Sequence, residues 1–193
     1  MIRWLAVGCA VGFVLHAFDA HAAPAECSSL LKLSLPQATI TAAQDVSTGE
    51  YAPPAGGFGP GGGRLSDLPV FCRVALTVQP QIHIEVWLPK DNWNGSYRGE
   101  GGGGYAGTIS YGGLAEGIRR GYATASTDTG HPGSSGGAFA LNADGTLNTQ
   151  LIEDFAERSL HEMVTKAKAI ISAKLKMWMN FAGFRIVEKY GNM

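Results

Sequence analysis

Between residues 99 and 107 the chain reads Gly99-Glu100-Gly101-Gly102-Gly103-Gly104-Tyr105-Ala106-Gly107. Glycine clusters make loops, so regular structure has to come from what flanks this run. Such a run supplies no side-chain chemistry. It supplies backbone N–H groups that a ligand can approach closely, because no Cβ intervenes and positive φ is allowed. A second stretch, Ala125-Ser126-Thr127-Asp128-Thr129-Gly130-His131, follows it. The loop can hold an oxyanion, a phosphate or nothing, and the surrounding elements decide between these.

Before the loop, residues 27–31 are expected to form one helical turn and residues 38–43, alternating and rich in β-branched side chains, a strand. Residues 70–78 and 82–88 read as two strands of a hairpin turning at Pro80. His83 and Glu85 share the face opposite Ile84, Val86 and Leu88 and are read as a solvated edge. After the loop, 111–120 is a short helix closed by Gly121, and 122–127 is a strand ending at Asp128. Strand, glycine loop, short helix, strand is the order of an α/β architecture with a parallel pair. Residues 129–147 read as loop. The clearest helix covers 151–173, with Ile152, Phe155, Ser159, Met163, Ala167 and Ile170 in one stripe and Asn148 or Thr149 as its cap. The glycine-rich stretch from Pro53 to Gly63 lacks the Lys and Ser/Thr of a phosphate loop and is read as surface loop.

Residues 1–22 have the form of a secretory signal: Arg3, an apolar run from Trp4 to Leu15, and a small-x-small cleavage site at Ala20-His21-Ala22. The apolar run is too short to span a bilayer. A secreted or periplasmic protein without a membrane partner follows, with fold reasoning starting at Ala23. In an oxidising compartment Cys27 and Cys72 are expected to pair, closing a loop of about 45 residues for roughly 4 kcal/mol; two buried thiols are the alternative. A net charge of -1 offers nothing to a nucleic acid. No cysteine or histidine spacing suggests a metal.

The segment from Gly99 to Gly104 matches G-x-G-x-x-G, with Asp128 ending a strand downstream as dinucleotide sites require. Against that reading, Ser96-Tyr97-Arg98 is a poor buried strand, and Gly112 and Gly113 interrupt the helix that would receive the pyrophosphate. An oxyanion loop after a core strand fits better. Gly133-Ser134-Ser135-Gly136-Gly137 matches G-x-S-x-G, but it lies inside a loop. It lacks the strand-to-helix turn that strains and aims a nucleophile. His131 lines the substrate end, His161 falls mid-helix, and Asp128 suits either ligand binding or capping of its own loop.

Several blocks together carry a family resemblance. They are Cys27, Leu68 to Val74, Ile84 to Pro89, Trp93-Asn94-Gly95, Gly101 to Gly107, Gly121 to His131, and Asp154-Phe155 with Arg158 and His161. In these the chain resembles the N-terminal part of the tannase/feruloyl esterase family of secreted α/β-hydrolases. The resemblance implies an α/β domain over 23–173, the N-terminal part of an α/β-hydrolase fold with an incomplete sheet, and a divergent tail over 174–193. It implies hydrolysis of small phenolic esters, feruloyl or galloyl, by acyl-enzyme chemistry with a Ser-His-Asp triad. Gly102, Gly103 and Gly104 are then the oxyanion-loop candidates, and Tyr105, Asp128 and His131 the substrate-end candidates. Two departures stand out. Arg98 and Glu100 put charge where the family has an apolar strand, and no Ser follows Ser172 and no His follows His161. The expectation is a chain without its nucleophile, acid or base, and without a cofactor, the family's calcium belonging to a lid domain. A non-catalytic binding or remnant protein is the alternative, and a dinucleotide-binding oxidoreductase a third.

Overall fold

A computed structural model describes residues 26–54, 63–131, 133–134 and 136–182. The signal segment, most of the glycine-rich loop after Pro53, Ser135 and the end of the tail lie outside the described residues. A 3-10 turn at Cys27–Lys32 buries Cys27 and Leu30 and leads to strand β1 (Ala38–Val46). Strands β2 (Gly49–Tyr51) and β3 (Leu65–Leu68) pair antiparallel as a small ribbon. The expected hairpin follows as β4 (Phe71–Val78) and β5 (Ile82–Pro89), in register from Phe71 opposite Pro89 to Val78 opposite Ile82. Next come β6 (Tyr97–Glu100), β7 (Ala106–Gly107), helix α1 (Tyr111–Arg119), β8 (Ala123–Thr127) and β9 (Gly133–Ser134). One long helical run closes the chain: α2 (Thr149–Glu153), a π turn (Asp154–Arg158) and α3 (Ser159–Ala182).

The main sheet is mixed, in the order β1-β4-β5-β8-β6. Only β6 and β8 run parallel, joined through the glycine loop and α1 as their sequence order requires. Its two faces are covered by different helices. Cys72, Val74, Leu76 and Val78 of β4 and Ile82, Ile84, Val86 and Leu88 of β5 form one core with Met163, Ala167 and Ile170 of α3. Phe71 and Trp87 form a second core with Leu65, Leu68 and the α1 residues Tyr111, Leu114, Ala115 and Ile118. Phe71 and Trp87 stack with ring centroids 4.4 Å apart, and Tyr51 meets both edge-on. Cys27 and Cys72 are disulfide-bonded, which fastens the N-terminal turn to the middle of the sheet.

Three readings of the sequence need correction. His83 is exposed as expected, but Glu85 is only 4 % exposed, because β5 is an interior strand whose polar face α1 covers. The reading of Ser96-Tyr97-Arg98 as a poor buried strand holds, since β6 is an edge strand without a buried residue. On β6 the charged pair is neutralised locally, Arg98 Nε lying 2.5 Å from Glu100 Oε1. Residues 129–147 also contain β9 and a 3-10 turn at Ala138–Ala140. Gly112 and Gly113, expected to interrupt the helix, lie inside α1, and Gly113 and Gly117 are where it touches the sheet. A Cβ on Gly117 would sit 2.2 Å from the Thr124 methyl, and one on Gly113 would sit 2.6 Å from Glu100 Oε2. The helix starting at Thr149 is capped by the Asn148 side chain, which accepts from Leu151 N–H. It crosses Lys174 without a break and continues to Ala182.

Candidate functional site

Because β6 and β8 are parallel and Glu100 lies opposite Ser126, the glycine loop leaves the sheet at the C-terminal end of β8. That is the edge at which open α/β sheets bind ligands. Gly101 to Tyr105 are all exposed, and Gly104 turns the chain at φ +58, a left-handed conformation that disfavours any side chain. Ala106 N–H donates to Gly103 O, which closes the turn. Among the described residues, the N–H groups of Gly102, Gly103 and Gly104 donate to no backbone carbonyl. The loop is then clipped down, because β7 pairs with β9, which follows β8.

The three substrate-end candidates fare differently. Asp128 is engaged by β5 and by its own turn: Oδ1 accepts from His83 N–H (2.9 Å) and Gly130 N–H (3.0 Å), and Oδ2 lies 2.6 Å from His83 Nδ1. Of its two possible roles, the structure supports capping. Tyr105 is 54 % exposed, directly beside the glycine turn. His131 is 1 % exposed and stacks on Phe139, with centroids 3.9 Å apart and planes 4° from parallel. Neither of its ring nitrogens has a partner among the described residues. Gly107 makes room for it, since a Cβ there would lie 2.4 Å from His131 Nδ1.

Burial lowers the pKa of His131 below its ordinary 6.5, and the charge of Asp128 pulls it back up. With the folded value below the unfolded one, the unfolded chain takes up the proton first. Stability is therefore expected to fall as pH drops below 6.5, by up to about 1.4 kcal/mol per pH unit, until the folded histidine also protonates. Urea denaturation between pH 7.5 and 5, on the parent and on His131→Phe, measures this. Equal slopes in the two proteins would assign the pH dependence to other groups.

Sequence reasoning did not single out Phe139, Asp154 or Phe155 as site residues; Phe155 stood in a helical stripe and, with Asp154, in a block of the family resemblance. The π turn explains where Asp154 and Phe155 end up. It inserts one residue into the helix, so Asp154 and Ser159, five apart, fall on the same buried face. Asp154 is held by Arg158 Nη1 (2.6 Å) and Gln150 Nε2 (2.9 Å), and Arg158 also donates to Gln79 O at the hairpin turn. Phe155 is thereby turned towards Phe139, with centroids 5.0 Å apart, and towards Tyr105 at 5.8 Å. A useful signal was available in the sequence: Phe139 is the one Phe, Tyr or Trp in the polar stretch 129–147.

The dinucleotide reading loses its anion site. The carboxylate of Glu100 already occupies the approach to the α1 N-terminus, over Gly113, where a pyrophosphate would have to bind. Among the described residues no group of three or more His, Cys, Asp or Glu could hold a metal ion. No helix among the described residues is long and apolar enough to cross a membrane.

Residues 68–182 match the family model for tannase and feruloyl esterase. The chain belongs to the tannase and feruloyl esterase family. It is 40% identical over 177 residues to an uncharacterized esterase of Xanthomonas campestris pv. campestris, covering 90% of this chain and 28% of that protein. A probable feruloyl esterase of Arthroderma benhamiae is 35% identical over 170 residues, 82% of this chain and 30% of the relative. The crystal structure of feruloyl esterase B from Aspergillus oryzae superposes with a TM-score of 0.67 at 29% identity, over 80% of this chain and 30% of that one. The chain thus spans less than a third of the length of these tannase and feruloyl esterase relatives. Tannin acyl hydrolase from Aspergillus niger, at 23% identity and a TM-score of 0.56, shares the fold. Of the blocks quoted from the sequence, Gly101 to Gly107 and the Asp128 to His131 end of Gly121 to His131 lie at the C-terminal edge of β6 and β8, while Trp93-Asn94-Gly95 lies at the other end, where Asn94 N–H donates to Gly121 O.

Proposed function

We propose that this chain is the sheet-and-oxyanion-loop portion of an exported carboxylic ester hydrolase acting on phenolic esters, feruloyl or galloyl. The observation that carries the reading is the exposed turn Gly101 to Gly104 at the C-terminal end of β6 and β8. Backbone N–H groups there, without competing backbone acceptors, suit the negative charge that develops on a carbonyl oxygen during acyl transfer. The names of the relatives supply the reaction class, and the disulfide agrees with export. In this reading the nucleophile and its base are assigned to none of the residues 23–173, and the chain by itself is expected to turn over no phenolic ester. No step requires a cofactor from this chain.

Two measurements test this. Titrating the 15N-labelled chain with an aryl phosphonate, a tetrahedral anion, is expected to move the amide signals of Gly102 to Gly104 downfield. Unmoved amides at saturation would remove the oxyanion role. Methyl ferulate and methyl gallate should remain intact in the presence of the folded chain. Turnover abolished by Ser135→Ala would overturn the assignment of the nucleophile elsewhere. The non-catalytic alternative predicts binding without turnover even after the chain is joined to the segment that follows in its relatives.

A further inference from the structure

We infer that Tyr105, Phe139 and Phe155, backed by the ring of His131, form a platform for the aromatic ring of the substrate, next to the glycine loop. This rests on the ester-hydrolase reading and adds to it the residues that choose an aromatic ester over an aliphatic one. The rings come from separate parts of the chain. Tyr105 follows the glycine turn, His131 follows β8, Phe139 sits in the 3-10 turn Ala138–Ala140, and Phe155 lies in the π turn. They converge as one cluster: Tyr105 lies 6.3 Å from Phe139 and 5.8 Å from Phe155, Phe139 lies 5.0 Å from Phe155, and His131 lies beneath Phe139.

Nothing in the folding of the sheet requires this convergence. None of these three aromatic residues belongs to either hydrophobic core, and Tyr105 is among the exposed large apolar side chains. A π turn is a costly, rare way to aim a side chain and recurs at functional sites. Here it places Phe155 against the loop instead of the sheet. Tyr105 is the residue after Gly104 and is exposed, so its ring is available at the edge of the turn whose Gly102 to Gly104 amides would face an ester carbonyl. A benzoyl or cinnamoyl acid carries its ring a short, flat linker away from that carbonyl, which suits offset or edge-on stacking on Tyr105 and Phe139.

The test uses the 193-residue chain and two esters of similar length, methyl ferulate and methyl 3-cyclohexylpropanoate, in calorimetric titrations. The aromatic ester is expected to bind about three- to tenfold more tightly. Tyr105→Ala is expected to remove most of that preference and Tyr105→Phe to keep it, with unchanged urea midpoints in both because the side chain is exposed. Equal affinity for the two esters, or a preference unchanged in both Tyr105→Ala and Phe139→Leu, overturns the platform and leaves the ester reading standing. A Tyr105-dependent preference without any shift of the glycine amides upholds the platform and overturns the oxyanion reading. Binding of neither ester overturns the platform and assigns the aromatic face to another part of the longer protein.

Discussion

Replacing Glu85 by alanine is expected to lower the unfolding free energy by about 3–5 kcal/mol, the cost of stranding a buried charge. Glu85 and Arg73 meet diagonally across β4 and β5, Arg73 lying opposite Trp87 and Glu85 opposite Ala75, and are in direct contact and largely buried. Trp87 Nε1 donates to Glu85 Oε2 at 3.2 Å, and the Tyr111 hydroxyl donates to Oε1 at 3.3 Å. Burial raises the carboxyl of Glu85 above its ordinary value, while Arg73 and these hydrogen bonds pull it down. Alanine would leave the Arg73 guanidinium without its anion and both donors without an acceptor. Tyr111 is the first residue of α1, so this network also fixes where the helix after the glycine loop begins. Urea unfolding followed by Trp fluorescence measures the loss. An Arg73→Met/Glu85→Leu double variant should lose far less, because both charges leave together. A loss below about 1 kcal/mol in Glu85→Ala would show that the pair is not held as described.

The second large effect is expected from the disulfide. Cys27 and Cys72 are 45 residues apart in sequence. Removing the link should cost about 4 kcal/mol in the chain-entropy account. The segment it retains is short: within the 3-10 turn, only Cys27 and Leu30 are buried. A Cys27→Ala/Cys72→Ala variant, or the reduced protein, should unfold at correspondingly lower urea concentration. Equal midpoints for the oxidised and reduced proteins would show that burial of Leu30 alone holds the turn. Thiol titration of the denatured, unreduced chain should find neither Cys27 nor Cys72 free.

Much of this arrangement was legible in the residues. The β4–β5 hairpin follows from two alternating runs around a proline turn, and α1 from a short amphipathic run closed by Gly121 at φ +76. The place of the glycine loop followed from strand, loop, helix, strand, because a parallel crossover returns both strand ends to the same edge. These are local rules or rules of connection, and a sequence states them directly.

Other features depended on contacts between distant segments. Alternation in β5 shows that His83, Glu85 and Trp87 share a face, but not what lies over it; β5 became interior only when β8 paired beside it and α1 settled above. The polar β6 is stable because Arg98 neutralises Glu100 and because that carboxylate meets the positive end of α1 over Gly113, a helix met later in the chain. The π turn adds one residue to a 3.6-residue period, which side-chain pattern alone cannot locate, and it exchanged Phe155 for Asp154 on the buried face. His131 was recognisable as a residue just past the C-terminal end of β8. Its burial over Gly107 and against Phe139, and the engagement of Asp128 by His83 of β5, depend on contacts between segments distant in the chain. Sequence by itself determined the β4–β5 hairpin, the order glycine loop, α1, β8 and long helix, the two cysteines available to pair, and the glycine turn between β6 and α1. Tertiary structure decided which polar groups are buried and which aromatic rings meet, because both depend on packing between segments far apart in the chain.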